Sequence, residues 1–243
     1  MQILELLDKI LKTNGEDIKK KIEDDIDANK RCIHRHTIDE HPNCFRRGLI
    51  RGEQKDWQWW REDGIRIGFL DIETTSFDAN GGFMVSWCIK YNDRDDVIGS
   101  LITKEEIFNE EYDKRVVYDL TEELKKLDAI STYYGTRFDV PFMRARALNW
   151  GYYFPPYGSV YHMDCYYRTR SLLKLHRNSL GAATRFFGID GKSHPFIDEW
   201  MDARYGKKEA LDFVWQHNID DVLILEKLFW KLEPYSKWTK KSI

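Results

Sequence analysis

Between Ile65 and Thr103 three strand-like segments follow one another: IRIGFLDIE, GGFMVSWCIKYN and DVIGSLIT. Turn-prone stretches such as NDRDD join them, and no helical pattern intervenes. A parallel crossover needs about a dozen or more connecting residues, so these three strands form an antiparallel meander. The pattern then changes. Tyr112 to Leu127 has helical periodicity, and LDAISTYYG reads as a fourth strand ending at Gly135. PFMRARALNWG reads as a helix, with Pro141 near its start and Gly151 at its end. SVYHMDCYY reads as a short fifth strand, and residues 179–187 as a short helix capped by Asn178 or Ser179. KKEALDFVWQHNIDDVLILEKLFWKL closes the pattern as a long amphipathic helix. A meander followed by αβ units predicts an α/β fold: a mixed five-stranded sheet flanked by helices.

Residues 1–62 read differently, with helical spacing at Ile3, Leu6, Leu7, Ile10 and Leu11, a break at TNGED and a further helix start near Thr37. The tryptophan-rich QKDWQWWREDG marks a boundary. The expected organisation is a small helical appendage, 1–62, and one domain, 63–243. The appendage carries Cys32, His34, His36, His41 and Cys44 within thirteen residues. That density raises zinc, but the spacing fits no standard finger, so zinc is the disfavoured reading. NKRCIHRHTIDEHPNCFRRG loosely resembles a helix-turn-helix recognition helix, with Lys30, Arg31 and Arg35 around Thr37. The favoured reading is a helical cap that packs on the main domain through Trp57, Trp59 and Trp60.

The chain has 243 residues, a hydrophobic fraction of 42% and a formal net charge of −3. No run approaches the roughly 18 apolar residues of a membrane span. The amphipathic start MQILELLDKILKTNGEDIKKK lacks the features of a signal peptide. Its four cysteines form no disulfide framework, and Cys88 lies in the apolar run FMVSWCI as a buried thiol. These features predict a soluble, cytoplasmic protein without membrane contact. A negative net charge removes any global basic signature but leaves room for a local basic groove or for bound cations.

Three acidic signals then need an account. Asp71 and Glu73 in FLDIETT are two apart on a strand and share one face. Such a pair suits a hard cation, and a solvated edge pair is the plain alternative. Asp139 in TYYGTRFDVPF follows a glycine turn and precedes a helix, where a helix cap is the plain reading. His217 and Asp221 in HNIDDV are four apart on one helix face, the plain reading being a surface ion pair. Asp220 points elsewhere.

Taken in order, these stretches resemble the DEDD superfamily of 3′–5′ exonucleases, which have a ribonuclease H-like fold. FLDIETT matches its first motif, YYGTRFDVPF its second and HNIDDV its third. The resemblance covers about residues 64–233, and it is nearest to the proofreading exonuclease domain of B-family DNA polymerases and its stand-alone relatives. HMDCYYRTRSLLKLHRNSLGAATRFFG is similar to their stretch between the second and third motifs. Two departures stand out: His217 occupies the spacing of the tyrosine subtype, and Tyr134 stands where the family usually has asparagine.

The resemblance implies that Asp71, Glu73, Asp139 and Asp221 hold two divalent cations, Mg²⁺ or Mn²⁺, roughly 3.5–4 Å apart. Asp71 would bridge both, and His217 would orient or deprotonate the attacking water. Thr74 and Phe77 would lie near the terminal nucleotide. Tyr133, Tyr134 and Phe138 would stack on bases, with core packing as the alternative. Arg137 would contact phosphate, with plain solvation as its alternative. Asp164 receives no metal role. The expected activity is two-metal 3′–5′ exonuclease hydrolysis of DNA at single-stranded or frayed ends. An RNA exonuclease or structure-specific endonuclease on the same fold is the runner-up, and an inactive nucleic-acid-binding module stands behind both. Nucleic acid is the expected partner, DNA ahead of RNA. Replication or repair proteins that work with the chain cannot be read from the sequence.

Overall fold

The computed structural model describes residues 30–32, 37–40, 50, 64–191 and 197–235. The chain divides into two compact units, Met1–Trp59 and Trp60–Ile243. In the first, Cys32 bridges Ile50 in antiparallel fashion. A turn at 38–40 is braced by the Thr37 backbone N–H, which donates to Glu40 at 2.8 Å. At Thr37, where a further helix start was expected, the described residues form this turn; the remainder of the helices expected before residue 63, the three tryptophans, and His34, His36, His41 and Cys44 lie outside the described residues.

The second unit carries one five-stranded sheet: β1 (Ile67–Thr74), β2 (Met84–Tyr91), β3 (Val97–Leu101), β4 (Ala129–Thr132) and β5 (Tyr161–Asp164). The strand order is β3-β2-β1-β4-β5. The meander pairs antiparallel, and β4 and β5 join parallel to β1. The described helices are α1 (Lys104–Phe108), α2 (Lys114–Leu124), α3 (Asp139–Asn149), α4 (Cys165–Leu172), α5 (Leu180–Phe186), α6 (Ile197–Arg204) and α7 (Lys208–Leu232). The mixed five-stranded sheet flanked by helices is the architecture the sequence predicts.

Alternation along the strands sorts the helices onto two faces. Leu70 and Ile72 join Val116, Val117 and Leu120 of α2 in one core cluster, and Trp87 Nε1 donates to the Val116 carbonyl at 2.8 Å. The opposite parity faces α7. Phe69 meets Phe229 edge-on at 5.2 Å, Asn218 Nδ2 donates to Ser86 Oγ at 3.2 Å, and Lys90 pairs with Glu226 at 3.5 Å. Asp71 and Glu73 share the parity of Phe69, so they look toward α7. Fully burying a side chain the size of Phe69 or Phe229 contributes about 1.5–3 kcal/mol, which fixes α7 on the sheet.

Several boundaries differ from expectation. The fifth strand stops at Asp164, and Cys165, Tyr166 and Tyr167 begin α4 instead of extending it. The cause is local: the Asp164 carboxylate accepts the Tyr166 N–H at 3.0 Å, an N-cap that starts a helix. Ser179, rather than Asn178, caps α5. α1 and α6 were not foreseen. α1 owes its existence to a capping box between Thr103 and Glu106.

Candidate active site

The sheet reverses direction of growth at β1, with β2 and β3 added on one side and β4 and β5 on the other. Ligand sites of open α/β sheets lie outside the carboxyl ends of strands at such a switch. The acids named from the sequence come from segments that meet there.

β1 supplies Asp71 and Glu73 near its carboxyl end. Asp71 pairs across the ladder with Cys88. Burial, and then the negative charges of Asp71 and Glu73, push the Cys88 thiol far up, so it stays protonated and inert. The turn after β4 supplies Asp139. Here the expected helix cap is corrected: Asp139 is the first residue of α3, and no side chain caps that helix. Its carboxylate accepts its own N–H and the N–H of Ile72, the residue between Asp71 and Glu73. α7 supplies His217 and Asp221. His217 Nε2 lies 3.6 Å from Glu73 Oε1 and 3.8 Å from Asp221 Oδ2, so the ring stands between two carboxylates. The ring is held by aromatics, edge-on to Trp200 at 5.5 Å and parallel to Phe213 at 6.4 Å.

Asp139 is 3% exposed. Burial, with a further push from the charge of Asp164, raises its carboxyl to about 7 against the two N–H bonds that lower it. A cation is what would hold such a buried acid ionised at neutral pH. The donor set is all carboxylate oxygen with one imidazole beside it, which suits hard divalent ions. Among the described residues no three His, Cys, Asp or Glu side chains already form a metal cage. The donor types suit a divalent cation, but the side chains are gathered as two groups, Glu73–His217–Asp221 and Asp139 beside the β1 backbone, and not as one cage.

The turn between β4 and α3 is tightly specified. Gly135 is required, since a Cβ there would meet Thr132 Oγ1 at 2.2 Å. Tyr134 adopts φ 70°, the left-handed region that asparagine and glycine tolerate better than tyrosine. Asp164 holds the turn by accepting the N–H of Tyr134 and of Thr136, each at 2.9 Å.

The other named residues fall into two groups. Phe77 is 89% exposed and meets Phe138 edge-on at 6.0 Å, whereas Phe138 is half-buried and packs on the core beside Phe142 at 5.9 Å. Tyr134 is exposed and packs against Tyr166 at 4.7 Å, and the exposed Arg137 hydrogen-bonds Tyr167. Thr74 is buried, and its hydroxyl donates to the Ser76 carbonyl at 2.8 Å. The Tyr133 hydroxyl donates to the Asn178 carbonyl at 2.7 Å, and its ring joins an apolar cluster with Leu180 and Leu228. That is the core-packing alternative for Tyr133.

Two residues were missed. Trp200 Nε1 donates to Glu73 Oε2 at 3.2 Å and so orients that acid. It belongs to α6, which no periodic signal announced. Asp164 was read inside the fifth strand, and nothing in the sequence linked it to a turn some thirty residues earlier in the chain.

A sequence model of the RNase H superfamily matches residues 68–233. The chain belongs to the RNase H superfamily. RNase H-like nucleases generally use divalent metals. Among solved structures, this RNase H superfamily chain is similar to the family B DNA polymerase from the hyperthermophilic archaeon Pyrobaculum calidifontis. The TM-score is 0.56 at 20% identity, and the match covers 70% of this chain and 25% of the polymerase. The chain thus spans a quarter of that protein's length, and the likeness is one of fold. No curated protein matches. Among the described residues no helix is long and apolar enough to cross a membrane.

Proposed function

We propose that the chain is a metal-dependent 3′–5′ exonuclease of the DEDD type that shortens DNA from single-stranded or frayed 3′ ends. The observation that carries this reading is the His217 ring between Glu73 and Asp221, 3.6 and 3.8 Å from their carboxylates. An imidazole so placed is suited to handling the proton of a water held among acids.

Asp71, Glu73, Asp139 and Asp221 would hold two divalent cations, Mg²⁺ or Mn²⁺. The bound ions would activate water and stabilise the leaving 3′ oxygen. Glu73 is kept in orientation by Trp200, and Asp139 by the Ile72 N–H. His217 Nε2 takes the proton from the attacking water, or aligns that water for in-line attack. Phe77, Tyr134 and Phe138 grip the terminal bases by stacking, and Arg137 offers a charge to phosphate. Thr74 shapes the turn under Phe77 through its bond to Ser76.

The test is a set of end-labelled substrates: single-stranded DNA, duplex DNA and RNA, each with Mg²⁺, Mn²⁺ or EDTA. The expected result is a ladder that shortens from the 3′ end on single-stranded DNA and is abolished by EDTA and by Asp71→Ala. No cleavage of any substrate with either metal would overturn the proposal, and a ladder on RNA alone would replace DNA as the substrate.

A further inference from the structure

The chain carries a net charge of −3, yet from Cys165 to Ile189 it has no acidic residue and five cations: Arg168, Arg170, Lys174, Arg177 and Arg185. Arg168 is buried over the Phe229 ring at 5.2 Å and serves the core. The other four are exposed. Among them lies an open groove of about 520 Å³, whose lining includes His176, Arg177, Ser179, Arg185 and Phe186. Phe186 is 65% exposed, and its ring is backed edge-on by Phe187 at 5.2 Å. The groove lies beside the catalytic turn: Asn178 accepts the Tyr133 hydroxyl, and Tyr134 is the next residue.

We infer that this groove is a second nucleic-acid site, which binds the phosphodiester backbone of a single strand away from the reacting end. A nearly apolar groove would suit a helix or a peptide, but exposed arginines around an exposed ring suit a polyanion carrying flat bases. Arg177 and Arg185 take phosphates, and Phe186 offers a face to one base. The exposed Tyr134 and Tyr166–Tyr167 pair continue that surface toward the acids. The strand is therefore held at two places, by its end and by its backbone. Binding at the groove needs no metal and no cleavage, so it stands apart from the exonuclease proposal.

The test is fluorescence anisotropy of labelled oligo-dT and oligo-rU of about 16 nucleotides, titrated with the full chain in EDTA across a salt series. Arg177→Ala/Arg185→Ala should bind roughly tenfold more weakly, and its log–log salt slope should shrink by about 1.4, the share of two phosphate contacts. Phe186→Ala should also lose about tenfold. Arg177→Lys/Arg185→Lys keeps the charge and should keep the slope. Lys114→Ala/Lys125→Ala removes two exposed cations at the helix packed on β2 and β3 and should change neither quantity. Circular dichroism confirms that each variant is folded. A thymidine monophosphate ester too short to reach the groove should be hydrolysed equally by wild type and by the groove variants. Binding of both oligonucleotides, or of one only, that weakens in the Arg177→Ala/Arg185→Ala variant supports the site and names the nucleic acid it accepts. No binding of either would overturn it, as would an Arg177→Ala/Arg185→Ala affinity equal to wild type, or an equal loss in the Lys114/Lys125 variant. Metal-free binding that responds to these arginines, in a protein that cleaves nothing, would leave the groove standing and remove only the exonuclease reading.

Discussion

His217 and Tyr134 are the two residues whose local physics decides most. Removing a positioned proton acceptor lowers turnover by about 10²–10⁴-fold. His217→Ala is expected to fall in that range in kcat while still binding Mn²⁺, as titration calorimetry would record; an unchanged kcat would exclude a role for the ring. Trp200→Phe keeps the packing against His217 but loses the bond to Glu73. Partners that orient ligating acids are worth about 10–100-fold in activity or metal affinity, and this variant should show such a loss. Tyr134 is a different case. A side chain at φ 70° carries roughly 1–2 kcal/mol of strain. Tyr134→Gly should therefore be more stable than Tyr134→Ala by about 1 kcal/mol in urea unfolding, the reverse of the usual order. This strain was invisible in the sequence, because backbone dihedrals do not show in residue type. What did show was a tyrosine where the resembled exonuclease family usually has asparagine.

Among the elements, α1 tests capping chemistry. The Thr103 hydroxyl and the Glu106 carboxylate exchange bonds with each other's backbone N–H, and Arg115 adds two contacts to Glu106 at 2.7 and 3.0 Å. Burial works against the charged form of Glu106, but the Arg115 and Thr103 bonds outweigh it and hold the carboxyl below its ordinary value of 4.5. A lowered acid contributes stability that is present above 4.5 and is lost as pH falls through the folded value. Glu106→Gln should thus be less stable than wild type at pH 7, with the gap in melting temperature closing under acid conditions. Element boundaries were legible wherever period and punctuation agreed: β2, α5 and α7 lie where the pattern put them. They were not legible where a single side chain made the decision. Asp164 turned three residues expected as strand into the start of α4, and the Thr103–Glu106 pair made a helix too short to have a period. The acids Asp71, Glu73, Asp139 and Asp221 were named as a set from three ordered stretches that resemble the motifs of a known exonuclease family. Their supports, the Ile72 N–H and Trp200, depend on tertiary placement, which spacing cannot carry.

For the whole molecule, the cations proposed for the carboxylates at the sheet switch point would make metal binding a stability term. A ligand that binds only the folded state stabilises it by about 2.7 kcal/mol at a hundred times its dissociation constant. Saturating Mg²⁺ or Mn²⁺ should therefore raise the melting temperature and EDTA reverse the gain, with Asp139→Asn responding less than wild type. Equal melting curves with and without metal would count against a cation among these acids. The sheet order also has a consequence in time. Glu73 and His217 are 144 positions apart along the chain, yet 3.6 Å apart once folded. At about 5–20 residues per second of synthesis, roughly 7–30 s separate the two on the ribosome. A nascent chain that has made its sheet already carries Asp71, Glu73 and Asp139 but still lacks His217 and Asp221, so the candidate site closes only once α7 has emerged.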